Sequence, residues 1–271
     1  MSGQRAVVGI DSHAHIFNRH LPMVTGRRYT PAYDASLAQW FEHMARFGIS
    51  HGVLIQPSFL GTDNHHLLQA LATYPDRLRG VVVIEPSIQD QELEAMSRAG
   101  VVGARLNLMG KSLTDYLTPQ WQSLYQRLAK RHWHVELHRH SDDIAQMIEA
   151  LLPYGLTIVV DHFGRPQGPI DPQHPGEQAF LQALSHPSVW LKISASYRNG
   201  VTLEQARQMW AQLVEASGGH QRMVWGSDWP HTQHEDMVNY ESQYQTLSKI
   251  ISDSLIIKKI LVDNPSSLFG F

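Results

Sequence analysis

What most constrains the fold of this chain is a recurrence: eight short apolar, β-branched runs, each closing on a polar or reactive side chain. They are Val7 to His15, Gly52 to Gln56, Gly80 to Glu85, Val101 to Asn107, Trp133 to His138, Thr157 to His162, Val189 to Ser194 and Met223 to Asp228. The runs are mostly apolar on both faces, as strands are in a parallel sheet covered by helices. Helical patterns fill most of the gaps. Leu37 to Phe47 puts Leu37, Trp40, Phe41, Met44 and Phe47 on one stripe and stops at Gly48. Thr118-Pro119 reads as a cap followed by Pro at the first helical position, opening a helix that runs to about Arg131. Thr202 with Gln205 forms a capping box for a helix ending near Gly218-Gly219. A further helix is predicted from Asp142 to Leu152, stopped by Pro153, and a long loop from Arg165 to Gly176. Eight β units alternating with helices predict an α/β chain folded as one (β/α)8 barrel across residues 1–271, a fold of about 250 residues. An open doubly wound sheet is the alternative. No G-x-G-x-x-G follows the first run, which removes its usual dinucleotide-binding form.

Composition narrows the chemistry. None of the 271 residues is Cys, which excludes disulfides, thiolate metal sites and a cysteine nucleophile. That composition is compatible with a reducing cytosol, and a cytoplasmic location is expected. With 22 basic and 25 acidic residues the formal charge is −3, so no basic field points to nucleic acid. Apolar runs such as Ile158-Val159-Val160 are far too short to cross a bilayer, and the first ten residues lack the apolar segment of a signal peptide. The expected partner is a small anionic substrate, with a homodimer as the candidate assembly. The unusual figure is 17 His.

In a (β/α)8 barrel the chemistry sits at the C-terminal ends of the strands, and the polar residues here follow that rule. His13 and His15 are two apart on the first strand and so face one side, where two imidazoles can hold a metal or aim at one oxygen. His-x-His alone is a weak signal; most such pairs are solvated loop residues. Its context is stronger. His138, His162 and Asp228 end the fifth, sixth and eighth runs. Three imidazoles and a carboxylate can surround a divalent ion or a water, with Asp228 as general base. The alternating stretch Trp133 to His140 leaves His138 balanced between packing and a site role. His43, His51, His65, His66, His186 and His220 read as solvated or core-edge residues. Arg105 lies near the end of the fourth run, Arg165 and Arg198 follow the sixth and seventh, and together they would form a cationic mouth that grips carboxylates bidentately.

Several longer stretches carry a resemblance. They include Asp11-Ser12-His13-Ala14-His15-Ile16-Phe17, the run Gln56 to Asn64, and Gly103-Ala104-Arg105-Leu106-Asn107. Asp161-His162-Phe163-Gly164-Arg165, Lys192-Ile193-Ser194 with Tyr197-Arg198, Trp225-Gly226-Ser227-Asp228-Trp229-Pro230-His231 and the ending Ile260 to Pro265 complete the set. In this order the chain resembles the amidohydrolase superfamily over its whole length, in the branch of 2-pyrone-4,6-dicarboxylate, sugar and muconolactone lactonases. The resemblance implies a TIM barrel of the metal-dependent-hydrolase type. It implies that His13, His15 and His162 contact the scissile lactone carbonyl and that Asp228 activates water. Arg105, Arg165 and Arg198, with Ser58, would bind the substrate. The expected function is hydrolysis of a carboxylated lactone.

Two departures from the family pattern stand out. The fourth strand offers Arg105 and Asn107 where binuclear members carry a bridging lysine or glutamate, which argues against a two-metal centre. The lactonase branch implies no required cofactor. His138, however, would complete a metal-ligand set of His13, His15, His138 and Asp228, as in the metal-dependent decarboxylase branch. One divalent ion such as zinc, and non-oxidative decarboxylation of an aromatic or muconate acid, form the alternative. Gly110-Lys111-Ser112 replaces further arginine contacts, so the natural substrate can differ from the pyrone dicarboxylate.

Overall fold

The computed structural model describes residues 6–271. Eight strands, β1 (Ile10–Ala14), β2 (His51–Ile55), β3 (Leu78–Val82), β4 (Val101–Asn107), β5 (His134–His138), β6 (Ile158–Val160), β7 (Val189–Ile193) and β8 (Met223–Trp225), form one sheet in sequence order. Every neighbouring pair is parallel. Helices α1 (Leu37–Arg46), α2 (His65–Thr73), α3 (Asp90–Arg98), α4 (Pro119–Lys130), α5 (Ala145–Leu151), α6 (Pro175–Ala183) and α7 (Leu203–Ser217) alternate with the strands. After β8 the chain ends in α8 (Tyr240–Ile250), α9 (Ser254–Lys258) and α10 (Asn264–Phe269). The sheet curls into a nearly closed barrel, as the strand pattern predicts.

Local sequence signals account for the helix limits. Ser36 and Gln39 cap α1 reciprocally, and Gly48, at φ 70°, follows its end in the left-handed region that glycine adopts freely. Thr202 and Gln205 form the predicted capping box of α7. Helix α5 begins at Ala145 rather than Asp142. Side chains at this turn are committed elsewhere: Asp143 accepts from Arg139 Nε at 2.7 Å, and Ser141, just before it, donates to Glu177 at 2.5 Å. The apolar faces of the helices meet the sheet in one large core. Trp40, Met44, Leu71, Leu93, Leu128, Ile148, Met209 and Leu213 pack there on Leu54, Val135 and Ile158. Val53 and Ile55, alternating with Leu54, face the opposite way, into a smaller cluster with Ile10, Val81, Val224 and Phe269. That cluster lies inside the barrel.

The predicted strands six and eight are longer than those observed. Chain that the sequence pattern places in them leaves the ladder, because His162 (φ 54°) and Asp228 (φ 58°) are left-handed. Non-glycine residues in that region are uncommon and cluster at functional sites.

The barrel closes between β1 and β8 without a regular ladder. Two backbone bonds bridge the gap: Asp228 N–H to His13 O and His15 N–H to Trp229 O, both 2.8 Å. Asp11 does the rest. Its buried carboxylate accepts from Ser227 N–H (2.8 Å), Ser227 Oγ (2.6 Å) and Trp40 Nε1 (2.8 Å). Gly226 allows the approach, since a Cβ there would stand 2.5 Å from the Cβ of His13. Asp11→Ala leaves these donors buried and unpaired, at roughly 1–3 kcal/mol each. Urea denaturation of Asp11→Ala is expected to show a loss of about 3 kcal/mol or more, against about 1 kcal/mol for Trp40→Phe, which loses a single bond. A loss below 1 kcal/mol for Asp11→Ala would mean that the seam is held otherwise.

Candidate active site

The C-terminal ends of the strands bring together residues separated by more than two hundred positions. His13 Nε2 lies 3.2 Å from His15 Nε2. Around Asp228 Oδ1 stand His13 Nε2 at 3.7 Å, His15 Nε2 at 3.9 Å and His162 Nε2 at 3.7 Å. The other carboxylate oxygen is fixed: Tyr197 OH donates to Asp228 Oδ2 at 2.5 Å and Arg198 Nε at 2.6 Å. His15 Nδ1 donates to the carbonyl of Ile55 at 2.7 Å, and His162 Nδ1 meets Ser194 Oγ at 2.8 Å. His138 lies beside His162, with ring centroids 5.5 Å apart, and both its nitrogens are buried without a hydrogen-bond partner.

Burial and neighbouring cations set the protonation states. Burial pushes His15 down to about 4, assisted by Arg105, and pushes His162 down to about 3 against the pull of Asp228. Burial first, then Lys192 for His13 and Arg105 for His138, holds both well below the usual imidazole range. Burial would raise Asp228, but the Arg198 guanidinium bonded to it overrides that and holds the carboxyl well below its ordinary value. An ionised carboxylate therefore faces neutral rings.

The sequence-based substrate contacts all line the same cleft: Ser58, Arg105, Arg165 and Arg198. Each guanidinium already has a partner. Arg105 donates to Asp161 Oδ2 through Nε (2.9 Å) and forms an ion pair with it, Nη2 standing 2.8 Å away; Arg165 bonds Asn199 Oδ1 (3.1 Å) and the carbonyl of Arg198, and Arg198 holds Asp228. Arg28 is a fourth guanidinium at the mouth that sequence reasoning missed; it bonds Asn107 at 3.2 Å from the long loop after β1. No periodic signal marks a loop arginine. Glu136 and Lys192 were also missed as a buried pair, 2.6 Å apart. The signal was present, because Glu136 shares a strand face with His134 and His138 on β5.

As a donor set, His13, His15 and Asp228 could hold one divalent cation, since their ligand atoms all lie within 4.8 Å of one another. The spacing fits a tetrahedral ion, whose ligands at about 2.0–2.2 Å stand roughly 3.3 Å apart. Among the described residues His138 is not one of the three whose ligand atoms lie within 4.8 Å of one another, though it lines the same cleft as His15, His162 and Asp228.

An eight-stranded parallel barrel with imidazoles and a carboxylate at its mouth defines a barrel enzyme of the hydrolase type. The chain belongs to the amidohydrolase family, whose profile matches residues 10–271. It is 30% identical to the 2-pyrone-4,6-dicarboxylate hydrolase of Comamonas testosteroni, over 96% of this chain and 89% of that one. It is 28% identical to a 4-sulfomuconolactone hydrolase of Hydrogenophaga intermedia, over 96% and 88%. A solved structure from Pseudomonas putida, named as a candidate 2-pyrone-4,6-dicarboxylic acid hydrolase, superposes with a TM-score of 0.91. It is 44% identical, and 98% of each chain is covered.

The buried neutral imidazoles make stability depend on pH. Unfolded histidines bind protons near pH 6.5, whereas His15 and His162 stay neutral down to about 4 and about 3 in the fold. Below about pH 6.5 the unfolded chain binds more protons, so stability falls as pH drops. Asp161 and Asp228, held below the ordinary carboxylate value, add their loss only below about pH 4. Thermal melts are expected to show a steady fall in melting temperature from about pH 7 to about pH 4.5. A constant melting temperature over that window would contradict neutral burial.

Proposed function

We propose that this chain hydrolyses a lactone bearing one or more carboxylates, opening the ring by water attack on its carbonyl. The observation that carries this reading is Asp228: one oxygen locked by Tyr197 and Arg198, the other free among three neutral imidazoles. The similarity to a 2-pyrone-4,6-dicarboxylate hydrolase and a sulfomuconolactone hydrolase supports an anionic lactone.

In this reading a water bonds Asp228 Oδ1 and faces the carbonyl carbon. The carboxylate takes the water's proton as the oxygen attacks. The carbonyl oxygen gains charge and accepts hydrogen bonds from the ring N–H groups that face it. The ring C–O bond then breaks, and the proton passes from Asp228 to the leaving oxygen. A new carboxylic acid and a hydroxyl result, and the acid releases its proton to solvent. Arg198 keeps Asp228 ionised, while Arg28, Arg105 and Arg165 supply the cationic mouth for the substrate carboxylates, with Ser58 beside them. A divalent ion such as zinc, if held by His13, His15 and Asp228, would polarise the carbonyl as a Lewis acid. The decarboxylase alternative rests on His138 as a ligand, and its position outside the donor group favours hydrolysis. The absence of cysteine from the chain fits a cytoplasmic setting.

Asp228→Asn can hold the water but cannot take its proton. Its kcat on a panel of carboxylated lactones is expected to fall by about two to four orders of magnitude, with substrate affinity retained. Turnover within tenfold of the parent would remove Asp228 as the base.

Arg28 and Arg165 test the mouth cleanly, because neither partners a buried carboxylate. Replacing either with Met is expected to raise KM for a carboxylated lactone by about 10- to 100-fold, the worth of one hydrogen bond to a charged group. KM for an uncharged lactone should hardly move. Equal effects on both substrates would place these guanidiniums outside substrate binding.

A further inference from the structure

Beneath the site, inside the barrel, lies an ionic cluster whose Lys192, Glu136 and Asp161 take no part in the mechanism above. Lys192, fully buried on β7, points its ammonium at three groups: Glu136 Oε1 at 2.6 Å, His13 Nδ1 at 3.0 Å and Asp161 Oδ1 at 3.4 Å. Arg105 holds the other oxygen of Asp161. Two cations thus face two carboxylates.

An ammonium has donors and no acceptor. The nitrogen of His13 that meets Lys192 must therefore present its lone pair, and a neutral His13 carries its hydrogen on Nε2. His15 is fixed the opposite way. Its Nδ1 meets the carbonyl of Ile55, which only accepts, so the hydrogen is on Nδ1 and Nε2 is the lone pair. The two assignments agree with each other, since His13 Nε2–H then points at His15 Nε2, 3.2 Å away. The histidines of one His-x-His pair hold opposite tautomers.

We propose that Lys192 is a positioning residue that fixes His13 as an Nε2–H donor at the reaction centre and thereby weakens divalent-metal binding there. A metal at His13 needs the Nε2 lone pair, with Nδ1–H donated to a carboxylate or carbonyl. That second arrangement is within reach. Asp161 Oδ1 lies 3.5 Å from His13 Nδ1 and has no hydrogen-bond partner of its own. Lys192 stands where it favours the first arrangement over the second. The catalytic use of the Nε2–H rests on the lactone-hydrolase reading, whereas the tautomer and the metal affinity do not.

The primary experiment is nitrogen NMR on the wild-type protein carrying 15N-histidine, which distinguishes a protonated from a lone-pair nitrogen in each ring. The expected result is Nε2–H for His13 and Nδ1–H for His15. Nδ1–H on His13 overturns the proposal. The second experiment is zinc titration by calorimetry. Lys192→Met is expected to bind zinc about 10- to 100-fold more tightly than the parent, the range over which outer-shell partners move metal affinity. Lys192→Arg, which also only donates, should keep the parent tautomer and the parent's affinity. Because Lys192→Met leaves the buried Glu136 without its cation, while Arg105 still holds Asp161, Lys192→Met with Glu136→Gln removes one charge of each sign and serves if the single variant does not fold. Unchanged zinc affinity in a folded variant overturns the proposal, and if neither variant folds the wild-type spectrum decides. Failure of the parent to open any carboxylated lactone would sink the functional reading and leave both readouts intact.

Discussion

The join between the first and last strands governs everything at the mouth of this barrel. His13 and His15 belong to β1, and Asp228 follows β8, so the reaction centre exists only where these two strands meet. A three-residue β8 cannot supply a full ladder, and the buried Asp11 carboxylate takes its place by collecting donors from β1, from the chain after β8 and from α1. The same contact that closes the sheet sets the distance between the Asp228 carboxylate and the imidazoles. Stability and site geometry are thus one constraint here.

Inside the barrel, charge is arranged in pairs rather than avoided. Arg105 with Asp161 and Lys192 with Glu136 are ion pairs between buried side chains, and Arg198 with the buried Asp228 is a third. Desolvating these groups is costly, and such pairs are often no better for stability than apolar residues of the same size. What they provide is orientation. Asp228 stays ionised because Arg198 is bonded to it, and the imidazoles stay neutral because they are buried. Neutral rings around an ionised carboxylate suit the proposed water attack on an ester carbonyl, in which a base must accept a proton and the carbonyl oxygen must be stabilised as it charges.

The left-handed residues at the strand ends belong to the same picture. His162, Ala195 and Asp228 turn the chain sharply as it leaves β6, β7 and β8. Each such conformation costs of order 1–3 kcal/mol and persists only where its surroundings enforce it. At Asp228 the enforcing contacts are visible: its backbone N–H is held by His13 O, and its side chain by Tyr197 and Arg198. The turn swings the carboxylate into the mouth instead of along the strand.

By itself the sequence determined the barrel and most of its site. Alternation of apolar runs with helical stripes is a local property, and a polar residue closing each run marks the catalytic end of a parallel barrel, which is how His13, His15, His162 and Asp228 were legible. Glu136 and Lys192 were legible in principle, as charged residues on strand faces that helices do not cover. Only the tertiary structure decided the rest, because these decisions depend on distances between residues far apart in the chain. It left His138 outside the donor group and brought Arg28 in from a loop with no period. It bent Asp228 off its strand and committed Arg198 to Asp228 before any substrate arrives. It set Lys192 against His13, 179 positions away. A sequence pattern records which face a side chain takes, but the hydrogen a histidine carries is fixed by the atom it meets in space.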